Sequence, residues 1–145
     1  MIVSDILPEP YTGQVFCGYD QIDIEFTKLE QIIRRQRLDW RTALQYAKGV
    51  YLITDTRTGK RYVGKASGRD GIWSRWECYV GTCHGYNDEL TRLIRKRGRD
   101  YAHRFFRFAL LEYFPMKVDD DVVTGRETYW KEVLLSRRKF GYNKN

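Results

Sequence analysis

The period of the apolar positions changes along the chain. Val15, Cys17 and Tyr19 alternate with polar residues, as do Ile22, Ile24 and Phe26. With Tyr19-Asp20-Gln21 between them, the two runs predict a short hairpin. Thr27-x-x-Glu30 has the form of a capping box, and Leu29, Ile32 and Ile33 follow on one helical face. Asp39 is placed to cap a short helix carrying Trp40, Ala43 and Leu44. Residues 1–13 hold two of the three prolines and read as an irregular arm.

From Gly49 the pattern becomes that of strands. VYLIT and RYVGK are β-type segments joined by a turn-rich loop, residues 55–60, with Gly59 in it. Residues 72–81 place Ile72, Trp76, Tyr79 and Val80 at helical spacing. Residues 82–87 read as a loop, after which Asn87 caps a helix bearing Leu90, Leu93 and Ile94, closed by Gly98. Residues 105–114, FFRFALLEYF, are nearly continuous apolar and predict a central strand. Asp119, Asp120 and Asp121 open a helix running to about Leu135, their charge suiting its N-terminal dipole. Residues 139–143 form a short terminal segment. The order β-β-α-α-β-α predicts an α+β domain over residues 47–145, a small antiparallel-biased sheet flanked by helices. Residues 1–46 carry too few apolar side chains for a core of their own. They are expected to pack on that domain as a hairpin-helix appendage.

Composition narrows the setting. At 145 residues the chain is one domain's worth, and 42% hydrophobic with 15% aromatic content excludes wholesale disorder. No apolar run approaches the ~20 residues that span a bilayer, so no membrane partner is expected. The first residues lack a basic n-region and an apolar h-region. Cys17, Cys78 and Cys83 form no CxxC, which points to a reducing compartment. The expected location is intracellular and cytoplasmic, nucleoid-associated in a bacterial or phage setting. Lys and Arg number 26 against 19 Asp and Glu, net +7. Residues 1–46 carry net −2 and residues 47–145 net +9. Seventeen of the cations are Arg, whose planar fork matches phosphate. A basic region of this kind suits a polyanion partner.

The residues that carry chemistry follow in order. Gly49-Val50-Tyr51 is followed after ten residues by Tyr62-Val63-Gly64. If Thr54 pairs with Arg61, Tyr51 faces Gly64, and Tyr51 and Tyr62 become diagonal neighbours on one face. Lys65 comes directly after. Arg75 and Tyr79 lie four apart on the 72–81 helix. Glu127 falls inside the apolar stripe of Val123, Trp130 and Leu134. Burial of a carboxylate requires a cation partner, either an internal one such as Arg107 or a neighbour of Arg126, or a metal. Asn143, in GYN, is suited to holding backbone in place.

Over residues 49–143, about two-thirds of the chain, this ordered set resembles the signature of the GIY-YIG nuclease superfamily. The resemblance implies a metal-dependent endonuclease that cuts phosphodiester bonds in DNA, with RNA not excluded. It implies one Mg²⁺ (or Mn²⁺) per active site, held by Glu127. By similarity to the bacterial excision-repair branch, Tyr62 is the general base, Tyr51 assists, and Arg75 clamps the scissile phosphate. A free tyrosine has a pKa near 10, so Lys65, Arg75 or the metal is expected to lower that of Tyr62. The chain departs from that branch in the long gap between Lys65 and Arg75, which brings in Arg69 as a rival phosphate contact. Tyr79 matches the excision-repair branch, where some restriction-type relatives carry His. His84, in GTCHGYN, resembles a motif of another branch and is a candidate second base or DNA contact. A zinc site at Cys78, Cys83 and His84 misses the usual ligand spacing.

Arg92, Arg95, Lys96 and Arg99 recur at three to four residues as a basic ridge, and Arg137, Arg138 and Lys139 form a second cluster. Both are solvated faces or contacts to DNA backbone. No separate reader module follows a linker, and the chain is expected to act as a monomer or homodimer. The alternative reading is a catalytically inactive nucleic-acid-binding module using the same basic face.

Overall fold

The computed structural model describes residues 15–145, so the arm expected over residues 1–13 lies outside the described residues. The β-prone runs become β1 (Asp23–Glu25), β2 (Ala47–Asp55), β3 (Arg61–Ala66) and β4 (Phe106–Pro115). They form one antiparallel sheet in the order β1-β4-β2-β3, with the apolar β4 inside it. The helices are α1 (Phe26–Arg34), α2 (Leu38–Gln45), α3 (Gly71–Thr82), α4 (Asp88–Arg97), α5 (Arg99–Phe105) and α6 (Asp120–Val133). The fold is therefore α+β.

The period-2 alternation of β2 and β3 divides the core between the two faces of the sheet. Tyr51, Ile53, Ala66, Phe106 and Phe108 pack under α1–α5 with Leu29, Trp40, Trp76, Leu90 and Tyr101. Val50 and Val63, on the opposite face, pack under α6 against Val123 and Trp130. The pairing of β2 with β4 shifts by one residue between Val50 and Tyr51, a β-bulge at the base of the tyrosine cluster.

The hairpin expected over residues 15–26 does not form. Residues 15–18 are irregular, Tyr19–Gln21 make a single 3₁₀ turn, and β1 pairs with β4 instead. The edge of β4 is the better partner, because pairing there buries Ile22 and Ile24 in the main core. Tyr19 stacks on Tyr113 of β4 at 4.1 Å between ring centroids and donates to the Ala43 carbonyl at 2.9 Å. The capping box also fails: α1 begins at Phe26, with Thr27 already inside it. Asp39 sits in the first turn of α2 rather than at its cap. Its carboxylate accepts the N–H groups of Phe16 (3.0 Å) and Trp40 (2.9 Å). Beyond Gly98 the chain re-enters a helix at once, so α5 adds an element that the sequence pattern did not predict.

The terminal segment extends the free edge of β3. Arg61 and Gly141 form a parallel bridge, with the Tyr142 N–H donating to the Arg61 carbonyl at 2.7 Å. Beneath it, the buried Asp55 carboxylate accepts the Tyr101 and Tyr142 hydroxyls, both at 2.6 Å.

Candidate active site

The β2–β3 register is the expected one: Thr54 opposes Arg61, Ile53 opposes Tyr62 and Tyr51 opposes Gly64. Tyr51 and Tyr62 accordingly share a face, with ring centroids 6.4 Å apart. Gly64 makes this possible, since a Cβ there would run into the Tyr51 phenol. α3 delivers Arg75 and Tyr79 from one side, one turn apart. The Tyr51 and Tyr79 hydroxyls are hydrogen-bonded at 2.9 Å. Arg75 donates from Nε to the Tyr51 hydroxyl at 3.2 Å, and from Nη2 to the Tyr79 hydroxyl at 3.5 Å and the Gly85 carbonyl at 3.0 Å. Asn87 does not use its side chain to cap α4. Its Nδ2 donates to the Tyr79 hydroxyl at 2.7 Å.

Electrostatics bears on one expectation. Burial is the largest influence on Tyr51, Tyr62 and Tyr79, and it holds all three phenols above the ordinary tyrosine value. At Tyr62, the neighbouring Tyr51 and Glu127 push in the same direction, and Arg75 opposes them without prevailing. Lys65 does not reach this cluster. The pleat turns it to the other face, where its Nζ donates to Thr124 Oγ1 of α6 at 2.6 Å.

Glu127 approaches from α6. Its side chain is 13% exposed, and its one ionic neighbour among the described residues is Lys131, at a loose 3.8 Å. Arg107, one internal partner considered for it, pairs instead with Asp23 at 3.1 Å, and the adjacent Arg126 pairs with Glu112 at 2.6 Å. Glu112 also accepts Trp130 Nε1 at 2.6 Å, so the bulged part of β4 fixes the rotation of α6 that directs Glu127. Because β3 is the sheet edge, the two faces meet around it. Tyr62, Tyr86, Asn87, Lys131 and Tyr142 line one cavity of about 240 Å³ there.

Asn143 closes that edge. Its Oδ1 accepts the Val63 N–H and its Nδ2 donates to the Val63 carbonyl, both at 2.8 Å. His84 stands outside the cavity. Its Nδ1 accepts the Tyr86 N–H at 2.8 Å, and burial, aided by Arg95 and Arg99, lowers its pKa toward the neutral form. Tyr86, Asn87 and Lys131 were missed from the sequence. The first two lie in the same GTCHGYN loop as His84.

A divalent cation is compatible with this donor set. Glu127 is a nearly buried carboxylate that accepts no hydrogen bond among the described residues, and a hard cation with several waters needs only one or two such ligands. No group of three or more His, Cys, Asp or Glu suited to a metal occurs among the described residues.

The basic ridge is shorter than expected. Gly98, at φ +89°, breaks the helix, so Arg99 belongs to α5 and donates to the Gly81 carbonyl at 2.9 Å. Arg92 pairs with Glu89 at 3.1 Å, while Arg95 and Lys96 line a groove of about 670 Å³ with Tyr86 and Lys144. In the second cluster Arg137 lies 3.9 Å from Glu132, Arg138 is exposed, and Lys139 covers the Phe140 ring at 5.1 Å. Arg69 is exposed in the loop before α3.

No family model matches the chain, and no curated protein sequence matches it. Two solved structures resemble it. One is a mutant form of the catalytic domain of intron endonuclease I-TevI, 28% identical with a TM-score of 0.50, covering 68% of this chain and 94% of that one. The other is the catalytic domain of homing endonuclease I-TevI, 29% identical with a TM-score of 0.49, covering 68% and 98%. Among the described residues no helix is long and apolar enough to cross a membrane.

Proposed function

The chain belongs to the GIY-YIG nuclease superfamily, and from that premise we propose that it is a metal-dependent endonuclease hydrolysing phosphodiester bonds in DNA. The observation that carries this reading is a convergence. Tyr51, Arg75 and Tyr79 form one hydrogen-bonded cluster, Tyr62 stands against it at a cavity, and a nearly buried Glu127, paired only loosely with Lys131, lies on α6 close enough to act on the Tyr62 phenol.

In this reading Tyr62 takes the proton of the attacking water. It does so as phenolate, the form that burial disfavours and the Arg75 charge favours. Tyr51, held by Arg75 and Tyr79, keeps the ring pair in register. The Arg75 charge sits where negative charge builds on the phosphate as the bond to the leaving oxygen breaks. Glu127 would hold a Mg²⁺ or Mn²⁺ ion, which would supply Lewis acidity to the reaction. Asn143 keeps the strand carrying Tyr62 fixed, and Arg95 and Lys96 are contacts for the DNA backbone. Residues 47–145 are the catalytic unit and residues 1–46 its appendage.

The test is digestion of supercoiled plasmid DNA with Mg²⁺ or Mn²⁺, with and without EDTA, and with a single-stranded RNA in parallel. Nicked or linear product that EDTA suppresses supports the reading. Tight DNA binding with no cutting in either metal contradicts it and favours an inactive binding module.

A further inference from the structure

Three arginines outside the tyrosine cluster share a second cavity. Arg57 stands in the turn between β2 and β3, Arg97 ends α4, and Arg104 lies in the last turn of α5. With Asp100, Tyr101 and Phe105 they line a hollow of about 300 Å³. All three guanidinium side chains belong to exposed residues, and among the described residues none forms an ion pair. Two of them are steadied by aromatic rings instead. Arg97 lies over Tyr101 at 6.0 Å and Arg104 over Phe105 at 5.0 Å. A cation held against a ring face keeps its N–H fork for another partner.

Two carboxylates lie nearby. Asp100 is on the rim. Asp55 is buried and already accepts Tyr101, Tyr142 and the Arg57 N–H. Positive charge therefore remains in excess at the hollow. Planar forks converging on a hollow of this size suit a tetrahedral oxyanion.

We propose that this cavity binds a backbone phosphate of the nucleic acid whose scissile bond lies at Tyr62, an inference that rests on the nuclease reading above. The turn carrying Arg57 directly joins the two strands that carry Tyr51 and Tyr62, so cavity and cluster are held at a fixed separation. From Tyr51 to Asp55 is four residues of strand, about 13 Å at the usual rise. That distance covers about four phosphates of one DNA strand at 3.4 Å each along the axis. Nucleic acid bound at the cluster therefore has further backbone phosphates within reach of the arginines. This contact is separate from the Arg95 and Lys96 groove, which opens beside Tyr86 and Lys144.

The test is the salt dependence of binding to a fluorescent duplex, measured in EDTA so that nothing is cut. Wild type is compared with the triple variant Arg57→Gln, Arg97→Gln, Arg104→Gln. A control triple variant, Lys28→Gln, Arg34→Gln, Lys117→Gln, removes the same charge elsewhere. The proposal expects the slope of log affinity against log salt to flatten by about one unit in the cavity variant, since each phosphate that the protein neutralises contributes ~0.9, and by much less in the control. An Arg→Lys triple variant keeps charge without the fork. It should retain most of the slope while binding several-fold more weakly. Equal slope changes in the cavity and control variants overturn the proposal, because net charge alone then accounts for them.

Thermal stabilisation by inorganic phosphate identifies the source of the anion. If the cavity variant loses that stabilisation but keeps the DNA slope, the site serves a free small anion and the nucleic-acid assignment is overturned. The two readings fail separately. A flattened slope with no cutting by wild type sustains the cavity and sinks the nuclease reading. An unchanged slope with normal cutting does the reverse.

Discussion

Asn143→Ala puts a number on the edge clamp. Val63 is fully buried, and both of its outward-facing backbone groups are satisfied by one amide side chain at 2.8 Å. Truncation leaves one N–H and one carbonyl unpaired. Each such buried group costs about 1–3 kcal/mol. Water entering at the sheet edge recovers part of this, so the expected loss is ~2–4 kcal/mol. For a chain of this size that corresponds to a fall in Tm of about 6–12 °C. Asn143→Asp, which keeps the acceptor but sets a carboxylate oxygen against the Val63 carbonyl, should lose at least as much at pH 7. Because Tyr62 adjoins Val63, its position loosens with the clamp. Plasmid nicking at 20 °C should fall by at least ~10-fold even where the variant remains folded. Thermal unfolding followed by circular dichroism, paired with nicking rates, measures both. An Asn143→Ala protein melting within 1 °C of wild type would refute the reasoning, since a buried pair cannot be vacated at no cost.

Tyr62→Phe deletes one hydroxyl and should lower the cleavage rate by ~10² or more, as removal of a general base does; a near-wild-type rate transfers the role to another group. The Tyr62 phenol lies above the ordinary value, so if it acts as phenolate, as proposed, the wild-type rate should climb with pH from 6 to 9. A flat or falling profile contradicts the assignment. The same raised phenols make stability sensitive to alkali. Tyr51, Tyr62 and Tyr79 stay protonated in the fold, whereas unfolded tyrosines ionise near 10. Their contribution is therefore fully present below about pH 10 and is lost as pH rises through their folded values. Tm should be level from pH 7 to 9 and fall beyond 10, and less steeply in Tyr62→Phe.

The parts of this molecule that were legible in the sequence are those fixed by period. Alternation in VYLIT and RYVGK admits one register that keeps Tyr51 and Tyr62 together, and the chain adopts it. The apolar stripe of α6 placed Glu127 against the sheet because Val123 and Trp130 had to be buried. What could not be read depends on partners distant in sequence. The alternation at residues 15–26 is compatible with a hairpin, and only the open edge of β4 decides against it. Asn87 resembles a helix cap, and it points to Tyr79 because α3 happens to present a hydroxyl there. The position of Lys65 beside Tyr62 in sequence suggested electrostatic help, yet the pleat turns it to the opposite face and it serves α6 instead. Gly98 marks the end of one helix in the pattern; that it also begins another depends on the burial of Tyr101 and Ala102.

The claim that the tyrosine cluster and Glu127 form one catalytic centre is tested most directly by plasmid cleavage with Glu127→Gln. The substitution keeps shape and removes the charge that opposes Lys131 at 3.8 Å, so folding should survive. The expected result is loss of at least ~10²-fold in cleavage rate at saturating Mg²⁺, with Tm and affinity for DNA in EDTA near those of wild type. Cutting by Glu127→Gln at the wild-type rate in saturating Mg²⁺ would contradict the account.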